Sequence, residues 1–438
     1  MGSRRGARGA LLRGRGFALG IGAATLLALI VRLWFVLAVH WDDGVGGDAS
    51  WYHGVANLIA EGKWFIDPAT YNASGVSRPV AEHPPLFPLL LSVTSVFGGT
   101  TWRWHELATV VMGTATVPLI GLATAELANR RAGLLAAFLA ALAPALWVNE
   151  GLVLSETLAA TVTAGLLFVA ARARRVPSAA RVVVFGAVCG LSLLTRAEML
   201  FALPLIAWAA LWDRGAVATS LRRGATAAGV AALVISPWIV FNLSRFDTPV
   251  LLSNGSGITM AVSSCDQTFS GERIGYWNME CAIGRGDVPA DQAEADGWYR
   301  EVALGYWGDN TTKLPAVFAA RVGRTWTVYR PLQMIFLDLI EGRPWRVSRT
   351  VATSTYFLYP LALAGVVISR RRGWSPWLFV AVPIAVSIAA VLTFGNTRYR
   401  VPADVVLISC AAIGLEKLLA PRRRRLLRPA TTPARHEL

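Results

Sequence analysis

Long apolar segments, separated by short runs of arginine, recur along almost the whole chain. A helix needs about 20 apolar residues to cross a bilayer core of about 30 Å. Segments of about that length lie at Phe17–His40, His105–Ala128, Ala132–Val148, Gly151–Ala171, Ala225–Asn242, Val351–Ser369, Trp374–Phe394 and Pro402–Ala420. Only 16% of the 438 residues are charged, whereas soluble proteins have about 25%. The sequence therefore predicts an all-α polytopic membrane protein, with residues 1–438 as a single integral membrane domain.

A further apolar segment, Val182–Leu211, has the charged motif Thr195-Arg196-Ala197-Glu198 in its middle. A charged pair is costly at the centre of a bilayer. We therefore expect two short helices, with Arg196 and Glu198 at the turn between them. With this hairpin, about ten transmembrane helices are predicted.

The net charge of +15 comes mainly from arginines, which cluster between the apolar segments. This is the positive-inside pattern of membrane proteins, and it argues against nucleic acid as a partner. It places both termini in the cytoplasm, including a basic tail at 421–438. The predicted location is the plasma membrane. The apolar run Phe17–Val39 is too long for a typical signal peptide and lacks a cleavage site, so we expect it to remain as the first span.

Two long polar loops, 41–104 and 243–350, are predicted on the extracytoplasmic side. In the first loop, apolar residues follow Asp48 at helical spacing up to Gly62, which predicts a short amphipathic helix in the headgroup plane. Asp48 follows two glycines that allow close approach of a ligand. It could be a reactive carboxylate, or only the N-cap of the helix.

The first loop ends in Glu82-His83-Pro84-Pro85-Leu86, followed by an apolar segment too short to span. His83 could be a metal ligand, a general acid or base, or a hydrogen bonder that holds the loop shape. The spacing of acids and histidines is not diagnostic of metal. No cofactor is therefore established, although a divalent metal at Asp48 and His83 is an open alternative.

The second loop contains Cys265 and Cys281, for which the extracytoplasmic location favours a disulfide. Near its end, apolar residues recur at helical spacing from Phe318 to Tyr329, with Arg321 and Arg324 on the opposite side. This pattern predicts a second interfacial helix.

The topology places many ionisable residues on one side of the membrane, namely Asp48, His53, Glu82, His83, Glu150, Glu156, Arg196, Glu198, Arg398 and Arg400. Such a ring suits a reaction between a lipid-anchored molecule and one that arrives from outside. Arg398 and Arg400 precede Pro402 at a helix N-terminus, which favours a phosphate, although they could bind lipid headgroups non-specifically. Arg196 could bind an anion or form a structural pair with Glu198. Glu156 could cap a helix or face the site.

Several short motifs resemble those of the C-type (GT-C) membrane glycosyltransferases, of the protein mannosyltransferase and aminoarabinose transferase kind. They are Gly47-Asp48 with Tyr52, His83-Pro84-Pro85-Leu86, Leu154-Ser155-Glu156, Leu194-Thr195-Arg196-Ala197-Glu198, Pro237-Trp238 and Arg398-Tyr399-Arg400-Val401-Pro402. They occur in family order over most of the chain. The segment 243–350 matches least. Ala197 departs from the family, where many relatives have proline, which leaves the shape of that turn open.

The resemblance implies a GT-C bundle and an inverting transfer of a sugar from a polyprenyl-phosphate donor to an acceptor hydroxyl on a glycan, lipid or protein. Asp48 would be the general base, and Arg398, Arg400, Arg196 and Tyr399 would bind the donor and its phosphate. Tyr52, Glu82, His83, Glu156 and Glu198 would shape the site, and some relatives hold a divalent metal near this loop. A flippase for the lipid-linked sugar is the alternative from another class; it would need polar residues through the membrane depth, of which the sequence offers few.

Overall fold

The computed structural model describes residues 2–39, 46–284 and 286–420, with side chains from residue 14 onward. Apart from one isolated bridge between Ile66 and Pro79, these residues form helices and loops, so the predicted all-α class is confirmed. The α-helices are α1 (Gly2–Trp34), α2 (Asp48–Ala60), α3 (Pro68–Ser74), α4 (Leu86–Val96), α5 (Trp102–Leu127), α6 (Arg130–Leu142), α7 (Pro144–Trp147), α8 (Glu156–Arg175), α9 (Ala179–Thr195), α10 (Leu203–Leu211), α11 (Val217–Leu243), α12 (Ser256–Ala261), α13 (Asp266–Phe269), α14 (Gln292–Asp309), α15 (Leu314–Thr325), α16 (Pro331–Leu337), α17 (Trp345–Arg371), α18 (Trp377–Leu392) and α19 (Val401–Leu419). Shorter turns are a π-helical turn at Phe35–Val39 and 3₁₀ helices at Glu150–Leu152, Ala197–Phe201, Met279–Cys281, Thr311–Lys313 and Thr397–Arg400.

Five helices in the described part of the chain are long and apolar enough to cross a membrane: α1 with its π-helical turn, α5, α8, α11 and α17. The pair α6 and α7, bent by 51°, makes a sixth if it is one span. Helices α4, α9 and α18 are apolar but shorter. The protein is a multi-pass membrane protein, while the number of about ten spans stays a prediction.

The predicted pair of short helices with Arg196 and Glu198 at the turn between them is confirmed. Helix α9 ends at Thr195, Arg196 is its C-cap with an extended backbone, and Glu198 lies in the 3₁₀ helix that leads to α10. The two charges therefore occupy a turn between short helices, where they reach polar partners instead of lipid.

Arg32 lies within the first apolar span and is fully buried. Its Nε donates to Glu150 Oε1 at 2.8 Å, so the ion pair joins α1 to the break after α7. A Cβ atom on Gly113 of α5 would clash with that carboxylate oxygen, and glycine is therefore required at the contact. Glu150 was predicted to be among the ionisable residues on the extracytoplasmic side. In the structure it is the buried ion-pair partner of Arg32.

The apolar face of α2 does not contact lipid, which corrects the prediction of a helix in the headgroup plane. Trp51, Val55 and Ile59 are at most 8% exposed and pack in one cluster with Phe87 of α4 and Trp238 of α11. The helical spacing was identified correctly, but the apolar stripe is buried against protein. As a result, the N-terminus of α2 is held rigidly.

The second polar loop folds into the short helices α12 to α16, and Cys265 and Cys281 are joined in the expected disulfide. The predicted interfacial helix ends early, at Thr325, and Thr327 has a φ of 58°. Arg321 and Arg324 are fully buried and donate to backbone carbonyls of the same loop and of α18. They do not form a solvated polar face.

The start of the first loop, Trp41–Val45, and the basic tail 421–438 lie outside the described residues, so their placement stays a prediction. The 3₁₀ helix Thr397–Arg400 leads directly into α19, which packs against α17. This junction brings the C-terminal arginines to the first polar loop.

Candidate active site

Asp48 is the first residue of α2 and follows Gly47, whose φ of 66° is in the left-handed region. Gly47 is the N-cap, and no side-chain capping bond is made there, so the alternative of Asp48 as a simple N-cap is not observed. Instead, Asp48 Oδ2 accepts from Arg398 Nη2 at 2.5 Å. Oδ1 lies 3.7 Å from His83 Nε2. The carboxylate is thus held from both sides and remains partly exposed.

Arg398 contacts three carboxylates at once. Besides Asp48, its Nε lies 2.9 Å from Glu156 Oε1, and its Nη1 lies 3.1 Å from Glu341 Oε2. The three acids come from the first loop, from the start of α8 and from the second loop. Nη1 and Nη2 donate hydrogen bonds to Glu341 and Asp48, and Nε forms an ion pair with Glu156. Arg398 therefore fixes the relative position of these three segments.

Arg196 extends the network. Its Nη1 lies 3.0 Å from Glu156 Oε1, and its Nε lies 2.5 Å from Glu198 Oε1. The ring of Tyr399 lies near both guanidinium groups, 5.5 Å from that of Arg196 and 5.8 Å from that of Arg398. The sequence left open whether Glu156 caps a helix or faces the site. The structure shows that it faces the site and bridges the two arginines.

His83 is fixed by aromatic rings. Its ring stacks on Tyr52 at 4.8 Å and meets Trp51 edge-on at 5.0 Å. Burial alone would lower the pKa of His83, but the carboxylate of Asp48 raises it above its usual value. The two prolines that follow start α4, so the motif both ends the loop and presents His83 to Asp48.

The charges of the cluster set the basicity of Asp48. Burial favours its neutral form, but the charges of Arg398 and His83 outweigh burial and hold the pKa of the Asp48 carboxyl well below its usual value. Burial raises the pKa of the neighbouring Glu82 carboxyl. Asp48 is therefore ionised at every physiological pH, as a base must be before it takes a proton.

Asp48, Glu82 and His83 each offer a ligand atom within 4.8 Å of the others. Two carboxylate oxygens and an imidazole nitrogen are a donor set that fits a divalent cation, and binding would require His83 to lose its proton. No other described residue donates a hydrogen bond to the Glu82 carboxylate, so that group is available as a ligand. A cation held here would share the Asp48 carboxylate with Arg398, which donates to its Oδ2.

Arg400, predicted with Arg398 as a phosphate ligand, lies in a different environment. It is fully buried, and it donates to Asp404 Oδ1 at 3.0 Å, Thr327 Oγ1 at 2.8 Å and Thr355 Oγ1 at 3.0 Å. The structure does not bring it to the Asp48 cluster. Its local environment is that of a structural ion pair, and a phosphate role for Arg400 stays an untested prediction without support from this geometry.

Arg400→Met is expected to destabilise the protein by about 3–5 kcal/mol, because Asp404 is left buried without its partner. The double variant Arg400→Met/Asp404→Leu should recover most of that loss. Thermal unfolding of the purified protein measures both. A raised KM for the donor with unchanged stability would instead assign Arg400 to phosphate binding.

Glu341 is a site residue that the sequence patterns did not single out. Its Oε1 accepts from Asn396 Nδ2 at 2.8 Å and from Trp277 Nε1 at 3.1 Å, while Oε2 faces Arg398. One acid, Asp338, interrupts the otherwise apolar stretch from Met334 to Ile340, and a second, Glu341, follows directly after it. That interruption was the available signal that this part of the second loop faces a polar site.

His53 belongs to a separate closed ring of hydrogen bonds. Ser95 Oγ donates to Asn57 Oδ1 at 2.7 Å and accepts from His105 Nε2 at 2.9 Å. His105 Nδ1 then accepts from His53 Nδ1 at 3.0 Å, and His53 Nε2 accepts from Asn57 Nδ2 at 3.3 Å. The ring closes only with both imidazoles neutral, and it fastens α2 to α4 and α5.

Because of this ring, the stability of the protein is expected to decrease as the pH is lowered below about 6.5. Burial lowers the pKa of folded His53 below its usual 6.5, so the unfolded state takes up the proton first and is favoured by acid. Melting temperatures across this pH range should fall more steeply for the wild type than for His53→Gln. Equal slopes would show that His53 makes no such contribution.

Comparison with known proteins supports the resemblance found in the motifs. Residues 82–241 match the family model of the dolichyl-phosphate-mannose-protein mannosyltransferases. This range includes the site residues Glu82, His83, Glu156, Arg196 and Glu198. Asp48 and Arg398 lie outside it. No curated protein sequence matched the chain.

The fold is similar to that of the oligosaccharyltransferase of Archaeoglobus fulgidus. Its structure with a tethered acceptor peptide has a TM-score of 0.52 and 16% identity, covering 91% of this chain and 49% of that one. The oligosaccharyltransferase AglB from the same organism, in complex with an inhibitory peptide and a dolichol-phosphate, has a TM-score of 0.52 and 15% identity, covering 93% of this chain and 50% of that one. This chain therefore spans about half the length of these relatives.

A weaker similarity links the chain to ArnT from Cupriavidus metallidurans bound to undecaprenyl phosphate, with a TM-score of 0.41, 17% identity and coverages of 92% and 78%. That score is too low to support an argument about this chain. The family match and the shared AglB fold confirm the resemblance to the GT-C glycosyltransferases.

Proposed function

We propose that this protein, whose fold and family match are those of the GT-C glycosyltransferases, moves a sugar from a polyprenyl-phosphate donor to an acceptor hydroxyl, with inversion. The observation that carries the proposal is the pairing of an ionised, partly exposed Asp48 with Arg398 in a cluster that also contains Arg196. A base for a hydroxyl and cations for a leaving phosphate are the two groups that this reaction needs.

The acceptor hydroxyl would bind at Asp48 Oδ1, because Oδ2 is engaged by Arg398. As its oxygen forms a bond to the anomeric carbon, the hydroxyl proton passes to Asp48. The bond from the anomeric carbon to the phosphate oxygen breaks on the opposite face, and its electron pair stays with the polyprenyl phosphate. A single displacement of this kind inverts the configuration.

The low basicity of Asp48 is compatible with this role. In a transition state with oxocarbenium character, the attacking hydroxyl becomes acidic as its bond to carbon forms, so a weak base suffices late in the step. The carboxylate also stabilises the positive charge on the sugar ring. Arg398 keeps Asp48 ionised and oriented.

The donor phosphate would bind near Arg196 and Arg398, with Tyr399 between them. Each guanidinium has five N–H donors, so donors remain after the contacts to Glu156, Glu198 and Glu341. These acids outnumber the arginines, so a phosphate must compete with carboxylates for them. We therefore expect Glu156 and Glu341 to position the arginines, and we do not assign Arg400 to the donor.

A divalent cation held by Asp48, Glu82 and His83 would add a Lewis acid close to the acceptor hydroxyl. Proton transfer to Asp48 and stabilisation of the leaving phosphate by arginine use side chains of the chain itself, and neither step is routed through a metal. The disulfide Cys265–Cys281 and the arginine runs between spans support an extracytoplasmic site with both termini in the cytoplasm.

The proposal is tested by incubating membranes that contain the protein with a radiolabelled polyprenyl-phosphate sugar and a panel of glycan, lipid and peptide acceptors. The expected result is label in a new glycoside, released from the lipid. Label that stays on the lipid but changes its side of the membrane would indicate a flippase and contradict the proposal. Membranes from cells without the protein serve as the control.

A further inference from the structure

The end of the second loop exposes an apolar stripe that no described residue covers. It begins before α16 and continues to the start of α17. Its exposed fractions are 64% for Val328, 75% for Leu332, 62% for Phe336, 47% for Leu339, 58% for Ile340 and 39% for Trp345. Leu332 and Phe336 lie one turn apart on α16, and Leu339 and Ile340 lie in the turn that follows the helix.

The opposite face of the same segment is polar and is anchored in the protein. Asp338 accepts from Thr397 Oγ1 at 2.7 Å, and Arg343 donates to the same hydroxyl at 3.0 Å and to Asn149 Oδ1 at 2.5 Å. Glu341 reaches Arg398. The segment is therefore a single layer of chain with the active-site cluster on one side and an uncovered apolar surface on the other.

The apolar stripe is continuous with the surface of a candidate membrane span. Helix α17 follows the segment directly and is long and apolar enough to cross the bilayer. It exposes Phe357 at 72% and Leu363 at 68%. Arg346 and Arg349, at its first turns, are also exposed. Trp345, at its N-terminus, is of a residue type enriched where a span meets the headgroups.

We propose that the segment 328–345 lies in the membrane leaflet on the side of the active site and forms the lipid-facing wall of that site. Its apolar stripe contacts acyl chains, and its polar face holds Glu341 on Arg398. This surface replaces the interfacial helix expected at 318–329, whose arginines are buried. A lipid-anchored donor, if the proposed function holds, reaches Arg398 from the bilayer beside this wall.

The proposal is tested on the wild-type protein in liposomes with a membrane-soluble diazirine that labels residues in contact with lipid. Mapping of the labelled peptides is expected to place label on 331–343 at a level comparable with that on α17. Helix α14, whose Glu294, Arg300 and Glu301 are exposed, is the water-facing control. Labelling of 331–343 no higher than that of α14 would overturn the proposal.

A second measurement uses a nitroxide label at Phe336→Cys, with Asp309→Cys as the control, after replacement of the buried Cys189 and Cys410 by alanine. In liposomes, collisions with oxygen should exceed those with a nickel chelate at position 336, and the order should reverse at 309. Equal access to the chelate at both sites would overturn the proposal, as would a label at 336 shielded from both reagents by a second copy of the chain. Neither measurement depends on sugar transfer, so their failure is distinguishable from failure of the proposed function.

Discussion

Asp48→Asn is expected to lower the rate of sugar transfer by about 10²–10⁴-fold, the usual contribution of a positioned base. The asparagine side chain occupies the same space and can still accept from Arg398 through its oxygen. It cannot take the acceptor proton or offset the charge on the sugar. Initial rates with the purified protein measure the loss, and binding of the donor should persist.

Asp67→Asn is the matched control in the same loop. Asp67 caps α3 by accepting from the backbone of Ala69 and Thr70, and asparagine caps a helix about as well. This variant should transfer sugar at the wild-type rate. A wild-type rate in Asp48→Asn would move the base to Glu82 or His83.

Arg398→Gln is expected to lower transfer by about 10²–10³-fold, as for loss of one group that stabilises transition-state charge. The change removes the ion pairs to Asp48, Glu156 and Glu341 and, with them, the proposed contact to the donor phosphate. Arg398→Lys should recover little, because an ammonium cannot bond three carboxylates in the geometry of the guanidinium. Steady-state kinetics should show a raised KM for the donor as well as a lower kcat.

Arg78→Gln is the control for loss of an arginine, since Arg78 is exposed in the first loop and is not a member of the Asp48 cluster. It should leave both kinetic constants unchanged. If Arg398→Gln folds normally and transfers at the wild-type rate, Arg398 has no part in the reaction. Melting temperatures identify a loss that comes from unfolding.

The sequence indicated Asp48 and Arg398 separately, but not their contact. The two residues are 350 positions apart, and hydropathy does not say which helix ends meet. Arg398 and Arg400 were expected to act together because both precede the N-terminus of the last helix, a position that favours a phosphate. In a 3₁₀ helix with about three residues per turn, positions two apart point in different directions. Arg398 therefore reaches the site while Arg400 turns into the core.

Hydropathy predicted the all-α class and most helix positions because crossing a bilayer requires long apolar helices. It could not predict that Arg321 and Arg324 would be buried, since four of the groups they donate to are backbone carbonyls, which carry no sequence signal. The same limit applies to α2, whose apolar stripe looks identical whether lipid or α4 covers it. Glu341 could not be identified as a site residue either, because its position depends on how the second loop folds back onto the site.

The anomeric configuration of the product tests the central claim most directly. Purified protein in liposomes would be given a polyprenyl-phosphate sugar of known configuration, and the new glycoside would be analysed by NMR. A single displacement with Asp48 as base predicts the inverted configuration. A product with retained configuration would contradict this mechanism, because it would require a covalent sugar intermediate in place of a base.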